Sequence, residues 1–130
     1  MTTTSNIAKA TCFAAVISIV LNYLWNFIAI HALNCDQPAA PWMLMIGVST
    51  AVTTIFGGIV FFLLERFTTR GTLFFTIISL FAAIVSLFPF TKDMLPDGQQ
   101  PPHGFLLLAA PMHLLAAIVA VTVIPRLSKS

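Results

Sequence analysis

The sequence predicts an all-α integral membrane protein: one four-helix bundle of up-down topology, with the N and C termini cytoplasmic. Three observations predict it. Four apolar stretches, each about long enough to cross a bilayer, fill nearly all of the 130 residues. Hydrophobic residues make up 58% of the chain and charged residues only 8%, against about 25% charged in a soluble domain. Five of the six Lys and Arg residues fall on one side of the four stretches. So few charges cannot keep a surface monomeric in water, so the solvent is lipid. A formal net charge of +2 without a basic run leaves no electrostatic footprint for nucleic acid.

Span one runs roughly from Ile7 to Ala32. Its apolar run exceeds the 7–15 residues usual in a signal peptide, and no small-x-small cleavage site follows, so it reads as a permanent helix. Span two runs from Trp42 to Leu64, span three from Gly71 to Phe90 and span four from Gly104 to Ile124. Lipid offers backbone groups no partner, so each span must be helical or part of a closed barrel. Barrel strands alternate over about ten residues, and these runs are longer and continuous. The connectors carry breakers: Asn34, Asp36, Pro38 and Pro41 in the first, and Pro96, Asp97, Gly98, Pro101 and Pro102 in the third. The second is the short stretch from Glu65 to Arg70.

Orientation follows from the cations. Lys9, Arg66, Arg70, Arg126 and Lys129 lie on one side, and Lys92 lies on the other with Asp36, Asp93 and Asp97. The positive-inside rule puts the termini and the second loop in the cytoplasm. Trp42 then falls at the outer interface, where an indole suits the headgroup layer. Cys12 and Cys35 sit at opposite ends of span one, about 35 Å apart at helical rise, which excludes an intrachain disulfide. Two readings remain: Cys35 pairs between chains, or both cysteines are small apolar fillers.

Each span has a stripe of small or polar residues at helical spacing. Span one has Ala15, Ser18, Asn22, Asn26 and Ala29. Span two has Gly47, Thr50, Ala51, Thr54 and Gly58. Span three has Thr72, Thr76, Ser79, Ala83 and Ser86, and span four has Ala109, His113, Ala117 and Ala120. Small residues let helix backbones approach in a membrane, where no hydrophobic drive joins them. The stripes are therefore packing seams first, with the large apolar residues turned to lipid.

His113 is the most informative single residue, because an ionisable group near the middle of a span is costly and marks a site by default. It reads either as a buried imidazole bonded to a neighbouring helix, as a haem or pigment ligand, or as a relay in transport. A two-histidine haem needs a second imidazole at matching depth, and His31 and His103 both sit near the outer boundary. Those two, with Cys35 and Asp36, are metal-ligand types, but their spacing fits no metal motif. No cofactor and no metal is therefore expected. No Asp, Glu, Lys or Arg lies in the central part of any span, which disfavours a proton-coupled or cation-coupled transporter.

In an up-down ring the first and last helices are neighbours. At about 1.5 Å of rise per residue, Asn22 and His113 fall at similar depth, as do Asn26 and Leu107. Pro111 lacks an N–H and frees the Leu107 carbonyl. The expected contacts are Asn22 with His113 and the Asn26 amide with that carbonyl.

With Asn22, the Ser86-Leu87-Phe88-Pro89 end of span three, Pro111-Met112-His113 and Ile124-Pro125-Arg126, the whole chain resembles a family of small bacterial four-span membrane proteins of unknown function. That resemblance implies a bacterial inner membrane location and no activity. The function expected is that of a non-enzymatic, multi-pass membrane protein that packs with itself or with other membrane proteins in the lipid bilayer. Two alternatives stand beside it. One is a carrier or pore for a small neutral or apolar solute, with a polar seam of Asn22, Asn26, Thr50, Thr54 and His113. The other is a cofactor-binding subunit that uses His113.

Overall fold

The computed structural model describes residues 2–39, 41–91, 94 and 98–130. Lys92, Asp93, Pro96 and Asp97, used above for the third connector and for charge bias, lie outside the described residues. Four α-helices follow one another: α1 Thr4–Ala32, α2 Trp42–Phe67, α3 Gly71–Ser86 and α4 Phe105–Lys129, with a 3-10 turn at Phe88–Thr91 between the last two. No strand occurs among the described residues. α1, α2 and α4 are each long and apolar enough to cross a membrane, and the chain is an all-α membrane helix bundle.

The helix ends depart from the hydropathy reading in four places, each for a local reason. α1 starts three residues before Ile7, because Thr3 Oγ1 accepts the Asn6 N–H at 3.2 Å and caps it. α2 runs past Leu64 to Phe67, where Thr68 returns both its N–H and its hydroxyl to the Leu64 carbonyl, at 2.9 and 2.8 Å. α3 stops at Ser86 instead of Phe90. The Leu87 N–H bonds back to the Ile84 carbonyl at 3.1 Å, tightening the last turn, and Pro89 has no N–H with which to continue an α-helix. The 16 residues of α3 reach only about 24 Å, short of the roughly 30 Å hydrocarbon core. α4 runs through Pro125 to Lys129, where the Ser128 hydroxyl, fully buried, donates to the Pro125 carbonyl at 3.2 Å.

The termini and the α2–α3 turn share one end of the bundle, here the terminal end, and the other two connections share the loop end. α1 packs against α4 most extensively and then against α2; α3 packs on α4 and α2. α2 and α4 also meet across the short diagonal, while α1 and α3 do not touch among the described residues. The expected neighbouring of the first and last helices is observed.

Small and polar side chains line the inner face of α1 and large apolar ones its outer face. Ala10, Ala14, Ala15, Ser18, Asn22, Asn26 and Ala29 are the buried face of α1, while Phe13, Val16, Val20, Leu24 and Phe27 are exposed. Small side chains at the contact let α1 approach both neighbours. Gly58 is the tightest point: a Cβ there would lie 2.9 Å from Thr11 Cβ and closer still to the rest of that side chain. Two apolar clusters hold the ends. Phe61 and Phe75, edge to face at 5.1 Å, pack with Ala14, Val119 and Ile124 at the terminal end. Phe105, Leu108, Met112, Ile46 and Ala29 pack at the loop end, with Trp25 and Trp42 beside them.

Candidate functional site: a divided polar seam

The five residues read as one polar seam are split by the fold into three groups. Asn22, Thr50 and Thr54 come together on the α1–α2 contact, near the middle of the bundle. All three are buried. The Asn22 amide donates to Thr50 Oγ1 at 3.0 Å, and Thr54 Oγ1 donates to the Thr50 carbonyl one turn back at 2.7 Å. This corrects the expected Asn22 to His113 bond. The α1 face that carries Asn22 turns toward α2.

Asn26 belongs to a second group, at the loop end. Its amide oxygen accepts the Trp42 indole N–H at 2.9 Å, and its amide nitrogen lies 3.4 Å from Met43 Sδ. The Asn26 amide therefore does not meet the Leu107 carbonyl. Trp42 is likewise not a free interfacial anchor: its N–H is spent on Asn26 and its ring lies 5.8 Å from that of Phe105. Donor and acceptor each lie one residue from the expected pair, and the acceptor is not the carbonyl that Pro111 deprives of its helical N–H. Trp25, adjacent to Asn26, donates its indole N–H to the Leu108 carbonyl at 3.1 Å. Sequence reasoning missed Trp25 because it looked for polar partners only among the small and polar stripe of α1. Its position one turn from Asn22 on the α4 side was the available signal. Tyr23 closes this group. Its hydroxyl donates to the Met43 carbonyl at 2.8 Å, passing over Gly47, where a Cβ would meet it at 2.7 Å.

His113 forms the third group, on the α3–α4 contact. Its Nδ1 lies 2.9 Å from Ser86 Oγ, and that hydroxyl donates to the Ala83 carbonyl at 2.7 Å. A hydroxyl has one proton. With that proton on the carbonyl, Nδ1 carries the hydrogen of the imidazole–serine bond. The break in α3 at Leu87 makes this arrangement. The last turn has carbonyls without helical partners, and Ser86 satisfies one while holding the imidazole.

Among the described residues, three buried side-chain polar atoms have no hydrogen-bond partner: Thr11 Oγ1, Ser18 Oγ and Asn22 Oδ1. All lie on the buried face of α1. Of the histidine and cysteine group at the loop end, His31 stacks near Phe27, with ring centroids 4.4 Å apart, and is exposed with Asp36 and His103. Cys35 is 4% exposed, against Gly104. What joins this region is backbone: the Asp36 N–H donates to the His103 carbonyl at 2.9 Å. No three metal-ligating side chains converge among the described residues. The burial of Cys35 fits the apolar-filler reading.

The model of a family of unknown function, DUF6069, matches residues 2–130. The chain belongs to this family. No curated protein and no solved structure matches it. The DUF6069 match takes in all four helices, so each of the three polar groups lies within the matched region. The family brings no activity to assign to them.

Proposed function

We propose that this DUF6069 protein is a non-enzymatic packing protein of the bacterial inner membrane, and that its partner is a second copy of itself. The observation that supports this is the row Ser49, Thr53 and Gly57 on α2. Ser49 and Thr53 are exposed, and their hydroxyls are returned to their own helix at the Met45 and Ser49 carbonyls. Gly57 is next in the row, 3.9 Å from Phe75 by the Cβ it lacks. The contacts of α2 with α3 include Glu65, bonded to Thr72, and Gly57, near Phe75. Toward the loop end the rest of the row, Ser49 and Thr53, faces outward among Val48, Val52 and Phe56. Small residues four apart with bulky neighbours are the usual close-approach surface of membrane helices. Two copies in one membrane share an orientation, so a two-fold axis along the bilayer normal sets this row against itself.

The test is the mass of the protein in lipid nanodiscs, by native mass spectrometry, for the natural chain and for the Ser49→Leu and Thr53→Leu variants. Leucine at these exposed positions adds lipid-facing bulk and leaves the bundle interior alone. The expected result is a dimer that the variants convert to monomer. A chain that is monomeric at every lipid ratio, a dimer indifferent to both variants, or a partner of different mass would overturn the reading.

A further inference from the structure

We infer that the α1–α2 contact binds a water molecule at mid-bundle, held by Ser18, Asn22 and Thr54. Ser18 is 0% exposed and Asn22 3% exposed, and each has a polar atom without a partner in the chain. They are four residues apart on one helix, so their side chains stand one above the other on the same face. The amide assignment of Asn22 does not alter this. With its nitrogen on Thr50 Oγ1 the oxygen is left over, and with the amide turned round the nitrogen would be left over instead.

The third partner comes from the register of α2. Thr50 is beside Asn22, and Gly58 is beside Thr11. Thr54, midway between them and facing the same contact, falls within about half a turn of Ser18. Its hydroxyl proton is committed to the Thr50 carbonyl, so the oxygen faces the contact as an acceptor. The donor and acceptor inventory then suits water. The Ser18 hydroxyl donates to it, and it donates to the Asn22 amide oxygen and to Thr54 Oγ1. Internal waters typically make about three such bonds. Uncharged oxygens without a carboxylate suit water better than a cation. Thr11, the remaining unpartnered hydroxyl, lies seven residues back. Its side chain is pressed into the gap above Gly58 and is not part of the site.

Water-edited solid-state NMR on the full, isotope-labelled chain in lipid bilayers reads this directly. The Asn22→Leu variant assigns the side-chain signal. Magnetisation from water should reach the Asn22 amide and Ser18 several-fold faster than it reaches Ala14, which is equally buried one turn away on α1. Equal rates at Asn22, Ser18 and Ala14 in the natural chain would overturn the inference, whether or not any variant folds. The Ser18→Ala and Thr54→Val variants give a second reading. Around a bound water each slows transfer to Asn22. Unchanged transfer, with a higher thermal midpoint from loss of an unpartnered hydroxyl, would count against the water.

Discussion

Gly104 carries two constraints at once. Its φ is +73°, in the left-handed region, and a Cβ would stand 2.8 Å from Cys35 Sγ. It opens α4, and its carbonyl takes the Leu108 N–H at 2.9 Å. For an L side chain the left-handed conformation costs roughly 1–2 kcal/mol, and the clash adds to that. Gly104→Ala should lower the thermal midpoint in detergent clearly. Adding Cys35→Ala should recover only part of the loss, because removing the sulfur leaves the backbone penalty in place. A Gly104→Ala protein as stable as the natural chain would show that the loop end is not built on this contact. The interior amides behave differently. Each membrane hydrogen bond is worth only about 0.6 kcal/mol on average, so Asn22 and Asn26 fix which faces meet more than how strongly they adhere.

At the scale of elements, α1 is held between α4 and α2, and its approach to α2 depends on Gly58. A methyl group there would collide with the Thr11 side chain, whose Cγ2 is 2.5 Å from the Cβ position. Gly58→Ala should destabilise the bundle by about 1–3 kcal/mol, the usual cost of overpacking. The Thr11→Ala and Gly58→Ala pair should be less destabilised than Gly58→Ala alone, since the hydroxyl and methyl are gone while Thr11 Cβ remains at 2.9 Å. A double-mutant cycle by reversible unfolding in detergent measures this coupling. Strictly additive effects would mean that the helices separate at Gly58 without cost. α3 is the opposite case. Only Gly71, Phe75 and Ala83 are buried along it, and its position depends on its two ends. At one, Thr72 bonds Glu65 at 3.1 Å; at the other, Ser86 bonds His113 at 2.9 Å.

For the whole molecule, the charge asymmetry predicts sidedness, and charge contributes little to cohesion. Lys129 Nζ lies 3.7 Å from Glu65 and donates to Thr72 at 2.7 Å, joining the end of α4 to the α2–α3 turn. The lysine side chain is 49% exposed, and such pairs are worth at most about 1 kcal/mol. The same lysine counts among five cations at the terminal end. By the positive-inside rule, a reporter fused after Ser130 should read cytoplasmic, and the segment from Thr91 to His103 should be cleaved by protease only from outside. Cleavage of that segment from the cytoplasmic face of sealed vesicles would reverse the topology.

The sequence by itself determined the helices, the solvent and the faces. Lipid forces backbone groups to pair within a helix, so a long apolar run already states its secondary structure. The stripes that the sequence marks on α1 and α2 do turn inward, with Ser18, Asn22, Asn26, Thr50 and Thr54 all buried, although Ser49 and Thr53 at the same spacing on α2 are exposed. What only the tertiary structure decided is which neighbour each stripe meets. Asn22 and His113 lie at similar depth on helices that do touch, yet their side chains turn to α2 and α3. Depth is set by rise per residue and is additive along the chain. Azimuth depends on how closely three helices approach at once, which Gly58, Gly47 and the break at Pro89 control together. That is why Trp25 and Leu108, each one residue from the expected pair, make the bond between α1 and α4. It is also why the polar seam divides into three groups.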